Sequence, residues 1–331
     1  MKFQIKMSFL KIPMFIAFLV LIFSSCKKDE VDTVVDEMPE VTKPQEIQVV
    51  DSLLFVETFT RSGTGVGEVN IGSGWELSTD GQSLFVADFG NKRIQRFDDG
   101  KFQDWLGVKN GQFGLNTEGK AEDVFQLEQV IPMQNYISCF VRLQSKWYSY
   151  KIDLKGNIID TVLLHFDSKD FRPMIAIDKS GNFFALQDHN LFKFNSKGNL
   201  MKKFGGFGSG EGQLSKASLG TGLALDSKGY LYVCDRGQDR INKYDNDGNF
   251  ITSLSAEFFN DAKRAITIID DVIYYFSKPS YAISRLDLDG KVVGGKIHIE
   301  SRYHHPIVKI GEYYYQSYQN EISKYKFKSK P

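Results

Sequence analysis

The sequence predicts an all-β chain, a β-propeller of six four-stranded antiparallel blades, on three observations. One stretch is written twice, its pattern returns in weaker form at intervals of about 40–50 residues, and each interval carries the same turn chemistry. The doubled stretch is Ser62–Trp105 against Phe207–Ser253. Gly63-x-Gly65-x-Gly67 answers Gly208-x-Gly210-x-Gly212, and Leu84-Phe-Val-Ala-Asp88 answers Leu231-Tyr-Val-Cys-Asp235. Arg93-Ile94 and Phe97-Asp98 likewise answer Arg240-Ile241 and Tyr244-Asp245.

A unit that cannot bury its own apolar face must stack on copies of itself. The copies are indexed by an apolar residue that ends a third strand shortly before a glycine: Phe97, Ile152, Phe194, Tyr244 and Leu286, spaced by 55, 42, 50 and 42 residues. Tyr325 lies 39 residues further on and marks a sixth unit with no turn after it.

Within the clearest unit, Thr221–Asp226, Tyr230–Asp235, Arg240–Asp245 and Asn249–Leu254 alternate with period two and read as inner, second, third and outer strands. The hairpins between them are specified chemically. Asp226-Ser-Lys-Gly229 and Asp245-Asn-Asp-Gly248 place a side-chain acceptor at the start of the turn and a glycine where φ must be positive. Asp153–Gly156, Asp178–Gly181 and Asp287–Gly290 repeat this arrangement.

The sixth unit has too few residues after Tyr325 to build an outer strand. Leu53–Phe59 precedes the first glycine run as Met201–Phe204 precedes the second, so it reads as the missing strand, paired with Ile322–Lys328 to close the ring.

The N-terminus carries Lys2, Lys6 and Lys11, then the apolar run Ile12–Phe23, then Ser24-Ser25-Cys26. The run is too short to span a bilayer, and small residues before a cysteine look like a lipoprotein cleavage site. A simple secretory signal or a membrane anchor would leave Cys26 without a role. The expected organisation is a signal peptide over 1–25, a disordered acidic tether over 26–48 starting at lipidated Cys26, and a propeller over 49–331.

Composition suits a secreted β domain, with 42% hydrophobic and 14% aromatic residues. The 41 basic and 41 acidic residues balance. Loss of the three signal-peptide lysines leaves 38 basic groups and a net charge of −3. Such a balance argues against nucleic acid as a partner. Cys139 and Cys234 fall on second strands two units apart and are expected to be buried free thiols.

Phe85-Val-Ala-Asp88 with Asn91-Lys-Arg-Ile-Gln-Arg-Phe97, and Tyr232-Val-Cys-Asp235 with Asp239-Arg-Ile-Asn-Lys-Tyr244, resemble the repeat of the NHL β-propellers. The chain is similar to the six-bladed propeller lipoproteins of Bacteroidota. That resemblance implies a palmitate-bearing lipoprotein of the outer membrane. Lys27-Lys-Asp-Glu30 resembles the charged tag that sends such lipoproteins to the cell surface, the periplasmic face being the alternative.

Ligands of propellers usually meet the starts of the inner strands. Alignment on Gly222, Gly74, Ile131, Met174, Ile266 and Ile307 puts Gly220, Gly72, Gln129, Arg172, Arg264 and His305 on one rim. Gln129, Arg172, Arg264 and His305 are therefore candidate ligand-binding residues, the guanidinium forks being suited to a carboxylate or sulfate. The competing reading pairs Arg172 and Arg264 with Asp88 or Asp235. The Asp88/Arg93 and Asp235/Arg240 pairs read as structural, since five-residue spacing across a tight connection lets the two ends bond.

Asp245-Asn-Asp-Gly-Asn249 lacks the distal glutamate of a calcium loop. His304 and His305, being adjacent on a strand, point to opposite faces, while His165, His189 and His298 are isolated. Trp75, Trp105 and Trp147 are candidate sugar platforms or core residues.

Two functional classes follow. The favoured one is a lipid-anchored, non-catalytic binding propeller, monomeric and without cofactor, that takes a protein or glycan ligand on one face. The alternative is a propeller hydrolase or lyase with a metal at the axis, whose acidic, Asn or His ligands this rim does not offer.

Overall fold

The computed structural model describes residues 51–71, 77–109, 112–115, 126–143, 146–166, 173–215, 222–258, 266–277, 282–299, 307–318 and 320–329. They belong to one compact unit, Ile47–Pro331. Strand β1 (Asp51–Thr58) comes first. The next sheet holds β2 (Leu77–Thr79), β3 (Leu84–Asp88), β4 (Arg93–Asp98), β5 (Lys101–Lys109) and β6 (Gln112–Leu115), in that order. A second sheet holds β7 (Gln126–Pro132), β8 (Ile137–Leu143), β9 (Lys146–Ile152) and β10 (Ile158–Leu164), and a third β11 (Met174–Ile177), β12 (Phe183–Gln187), β13 (Asn190–Phe194) and β14 (Leu200–Gly205). The fourth holds β15 (Leu223–Leu225), β16 (Leu231–Asp235), β17 (Arg240–Tyr244) and β18 (Phe250–Ser255).

The remaining strands are β19 (Ile266–Ile269), β20 (Val272–Ser277), β21 (Ala282–Leu286), β22 (Ile297–His298), β23 (Val308–Ile310), β24 (Tyr313–Tyr318) and β25 (Glu321–Ser329). Together with β1 they form one sheet of eight, ordered β19-β20-β21-β22-β1-β25-β24-β23. The first strands of the sheets neighbour one another in a cycle, β2 beside β7, then β11, β15, β19, β23 and back to β2. Four-stranded antiparallel sheets arranged around an axis define a β-propeller.

β1 pairs antiparallel with β25 from Asp51↔Ser329 to Thr58↔Ser323, the pairing expected of Leu53–Phe59. The Phe59 amide continues it to the Ile322 carbonyl at 3.1 Å. Two features depart from the sequence reading. The first sheet gains a fifth strand, β6, where four were expected. β1 also makes a parallel pairing, Asp51↔Ile297 and Ser52↔His298, since β22 follows β21 as an outer strand whose free edge can take a neighbour.

The core lies between sheets. Phe85, Ile94 and Leu106 pack on Cys139, Val141 and Ile152. Phe140, Trp147 and Val162 pack on Phe183, Phe192 and Phe194. Phe184 and Leu191 pack on Leu231, Val233 and Tyr244. The joint between the last and first blades is filled by Tyr315, Ile322, Val69, Leu84 and Phe97, with Phe59 edge-on to Phe97 and Tyr315 at 5.5 and 5.9 Å. Each aromatic ring therefore locks two neighbouring sheets together.

Every predicted Asp-x-x-Gly hairpin closes as expected. Asp245 Oδ1 accepts the amides of Asp247 and Asn249, each at 2.8 Å, and its Oδ2 accepts the Asn249 side-chain amide at 2.8 Å. Burial raises the pKa of this carboxyl, and hydrogen bonds from Asn249 and Asp247 outweigh it and hold the group below its usual range. The turn that follows Phe194, Asn195-Ser-Lys-Gly198, uses an asparagine in the same role. Gly198 adopts φ +80, and a Cβ there would stand 2.5 Å from the Leu163 carbonyl, so no other residue fits.

Cys139 and Cys234 are free and fully buried on the second strands β8 and β16. Burial pushes both thiols well above their ordinary pKa. They are expected to resist a thiol reagent at about pH 8 in the folded chain and to react quickly once denaturant is added. Labelling followed by mass spectrometry reads the outcome.

Candidate functional site

Two blades brace one face of the ring with the same buried ion pair. In the first, β3 ends at Asp88 and β4 begins at Arg93, the two joined as a register pair. Arg93 Nε donates to Asp88 Oδ2 at 2.7 Å with both side chains almost wholly buried. The same carboxylate accepts the Asn70 amide at 2.7 Å, Gln95 Nε2 at 2.8 Å and Asn91 Nδ2 at 2.9 Å. The far end of the guanidinium donates to the carbonyls of Gly65 and Glu68, each at 2.8 Å. The pair thus ties the second and third strands to the glycine-rich loop that leads into the inner strand.

The fourth blade repeats the device. Arg240 Nε donates to Asp235 Oδ2 at 3.1 Å and its terminal nitrogen to the carbonyls of Gly210 and Gln213 at 2.8 and 3.0 Å. Ser215 supplies its amide and hydroxyl to Asp235 Oδ1 in place of the Asn70 amide. Asn242 stands in for Gln95, donating to the Gln213 carbonyl at 3.0 Å.

The glycine spacing follows from the loop's own cap. The Gly65 amide donates to Glu68 Oε2 at 2.8 Å, and the Gly210 amide to Gln213 Oε1 at 3.0 Å. A Cβ at Gly63 or Gly208 would collide with that capping side chain at 2.1 Å. The Gly65 amide, with Arg61, also holds the Glu68 carboxyl below its usual pKa.

Of the candidate ligand-binding residues, Gln129 alone is described, and Arg172, Arg264 and His305 lie outside the described residues, as do Gly72 and Gly220. Gln129 on β7 is half-buried and reaches the next blade. Its Nε2 donates to the Ile175 carbonyl at 2.8 Å and its Oε1 accepts the Ile175 amide at 3.3 Å, so the carboxamide clips β7 to β11 as a strand would. Trp147 is a core residue, buried against Phe183 and Phe192. His165 and His298 are exposed, and His189 lies edge-on to Phe207 at 4.9 Å. Trp75 and His304 lie outside the described residues.

Sequence reading missed a cavity of about 500 Å³ beside β21. Ala282↔His298 and Ile283↔Ile297 set one register for β21 and β22, whereas the isolated bridge Leu286↔Val292 sets another, two residues out of step. The surplus is taken up around Gly294-Gly295, which swings the chain off the strand edge and opens the space. Tyr275, Ser277 and Ser284 line it from β20 and β21, Ser255 and Glu257 from the end of the preceding blade, and Lys296 from the bulge. Ser284 and Ser277 are buried and hydrogen-bonded to each other at 2.7 Å. Burial raises the Tyr275 pKa, the hydrogen bond with Ser284 pulls the other way, and the Glu257 charge raises it further, so the phenol stays protonated.

No family model matches the chain, and no curated protein matches it in sequence. Solved structures do match. Virginiamycin B lyase from Staphylococcus aureus superposes with a TM-score of 0.56 at 12% identity, covering 83% of this chain and 99% of that one. The PQQ-bound aldose sugar dehydrogenase of Streptomyces coelicolor gives 0.53 at 14% identity over 85% of this chain and 99% of its own. A protein of unknown function from Bacteroides thetaiotaomicron gives 0.52 at 14% identity over 84% and 76%. Similarity at that identity establishes the β-propeller fold, which these proteins use for different ends.

Proposed function

We propose that this chain is a lipid-anchored propeller of six NHL-type blades that binds a protein or glycan without transforming it. The count of six rests on dividing the eight-stranded sheet at the parallel β1–β22 contact, which gives β19–β22 and β23–β25 with β1 as separate blades. The NHL assignment rests on the matching networks around Asp88 and Asp235, which use the motif residues themselves.

The observation that carries the binding reading is the braced face. Buried Asp–Arg pairs and capped glycine loops hold rigid the side of the ring from which the inner strands depart, and a rigid scaffold beneath connecting segments is the usual platform for recognition. Arg172, Arg264 and His305 stand shortly before inner strands in the sequence and remain the proposed anion-recognising groups. Cys26 is the proposed acylation site, the tether 26–48 its link to the domain, and the outer membrane its location, with display at the cell surface.

Growth with an alkyne-tagged palmitate is expected to label the wild-type chain, and Cys26→Ser to abolish the label. Protease treatment of intact cells is expected to degrade the protein, survival arguing for the periplasmic face. Purified protein is expected to retain ligand from a lysate without turnover, and Arg172→Ala combined with Arg264→Ala to weaken retention about tenfold or more, as loss of charged hydrogen bonds implies. Unchanged retention removes the arginines from the site.

A further inference from the structure

Among the described residues, no inner strand lines the cavity beside β21, and its chemistry is specific. We propose that it is a second binding site, on the perimeter of the ring, for a neutral polyhydroxylated ligand of the monosaccharide class. Its volume of about 500 Å³ falls in the ~300–1,000 Å³ range of small-molecule sites.

Four hydroxyl-bearing residues, Ser255, Tyr275, Ser277 and Ser284, line it together with one carboxylate, Glu257, and an apolar wall of Leu286 and Val292. A hydroxyl both donates and accepts, so the array complements a ligand that is itself a ring of hydroxyls, and a carboxylate accepts from two of them at once. An apolar ligand would strip water from the serines and give nothing back. Arg285 also lines the cavity but is ion-paired with Asp51, and the Lys296 ammonium offsets the Glu257 carboxylate, so the lining carries no net positive charge to hold a phosphate or polyanion.

The register supports the same conclusion. Cross-strand pairing places Tyr275 opposite Ser284 and Ser277 opposite Ala282, so these hydroxyls share one face of the sheet, turned toward Ser255 and Glu257 of the preceding blade. Three of the four stand on the paired strands β20 and β21, so the hydroxyl array is set before a ligand arrives.

The test is calorimetric titration of the full-length chain in detergent with glucose, galactose, mannose and xylose in turn, and with inorganic phosphate and cyclohexane-1-carboxylate as contrasting probes. At least one sugar is expected to bind saturably with Kd near or below about 1 mM, while phosphate and the cyclic carboxylate bind about tenfold more weakly or worse. Glu257→Gln, at an exposed rim position, is expected to weaken the sugar about tenfold without changing the melting temperature. Ser277→Ala is expected to act in the same direction.

Arg172→Ala with Arg264→Ala is expected to leave sugar affinity unchanged. Loss of sugar binding in that double variant but not in Glu257→Gln would move the sugar to the recognition face and overturn this proposal while sparing the other. Absence of saturation by all four sugars, or equal binding of phosphate, also overturns it.

Discussion

Removal of residues 50–60 is expected to abolish the cooperative thermal transition of the domain. β1 supplies the outer strand of the last blade, covering the edge of β25 that β24 leaves free, and among the described residues no other strand pairs with that edge. With β1 go the burial of Leu53 and the packing of Phe59 on Phe97 and Tyr315, worth about 1.5–3 kcal/mol for each side chain. A ladder of backbone hydrogen bonds is lost as well, at about 0.5–1.5 kcal/mol each.

The sum reaches most of the ~5–15 kcal/mol that holds an ordinary domain together. Further ties sharpen the effect. Asp51 is ion-paired with Arg285 of β21, and the Thr60 hydroxyl accepts the Ile322 amide at 2.8 Å. Lys324, beside β1, reaches Asp99 of the first blade at 2.6 Å, so disturbing its strand disturbs the next joint too. Phe55→Ala is the contrast, since the residue is 56% exposed and its loss, mainly of an edge-on contact with Tyr325 at 6.1 Å, is expected to cost only about 0.5–1.5 kcal/mol. Differential scanning calorimetry of the two variants separates the outcomes, and a truncated chain that still melts in one sharp transition would show that the ring does not depend on this strand.

Asp88→Ala is expected to destabilise the chain by about 3–5 kcal/mol, because it leaves the Arg93 guanidinium buried without its carboxylate. The Asn70 amide, Asn91 and Gln95 lose an acceptor at the same time. Asp88→Asn keeps the shape and one carbonyl oxygen, so about 1.5–3 kcal/mol is expected. The sister substitution Asp235→Ala is expected to cost less. The Arg240 side chain is 17% exposed against 6% for Arg93, and water can reach the abandoned charge. In urea titrations the double variant Asp88→Ala, Arg93→Ala should fall well short of the sum of the singles, and simple additivity would mean that the two side chains act independently.

Much of the fold was legible because its determinants are local. An Asp-x-x-Gly hairpin and a Gly-x-Gly-x-Gly loop carry their hydrogen-bond partners within a few residues, so sequence alone locates them. The Asp88–Arg93 pair is legible for the same reason. Edges are not local. The parallel contact of β1 with β22 joins two outer strands far apart in sequence, and period-two alternation does not encode which edges meet.

Gln129 illustrates the limit on the rim. Its place near the start of an inner strand was readable, whereas its two hydrogen bonds with Ile175 span 46 residues and two sheets. The cavity left one trace, the Gly294-Gly295 pair inside a strand pattern, but its lining comes from two blades that only folding brings together.

Asp51 stands opposite Ser329, so the chain enters and leaves the toroid at a single point of its circumference. A circular permutant that links those two residues by a short spacer and opens the chain at an exposed hairpin such as Asp153–Asn157 would keep every strand partner. The topology therefore treats its own start as interchangeable with any other gap between hairpins.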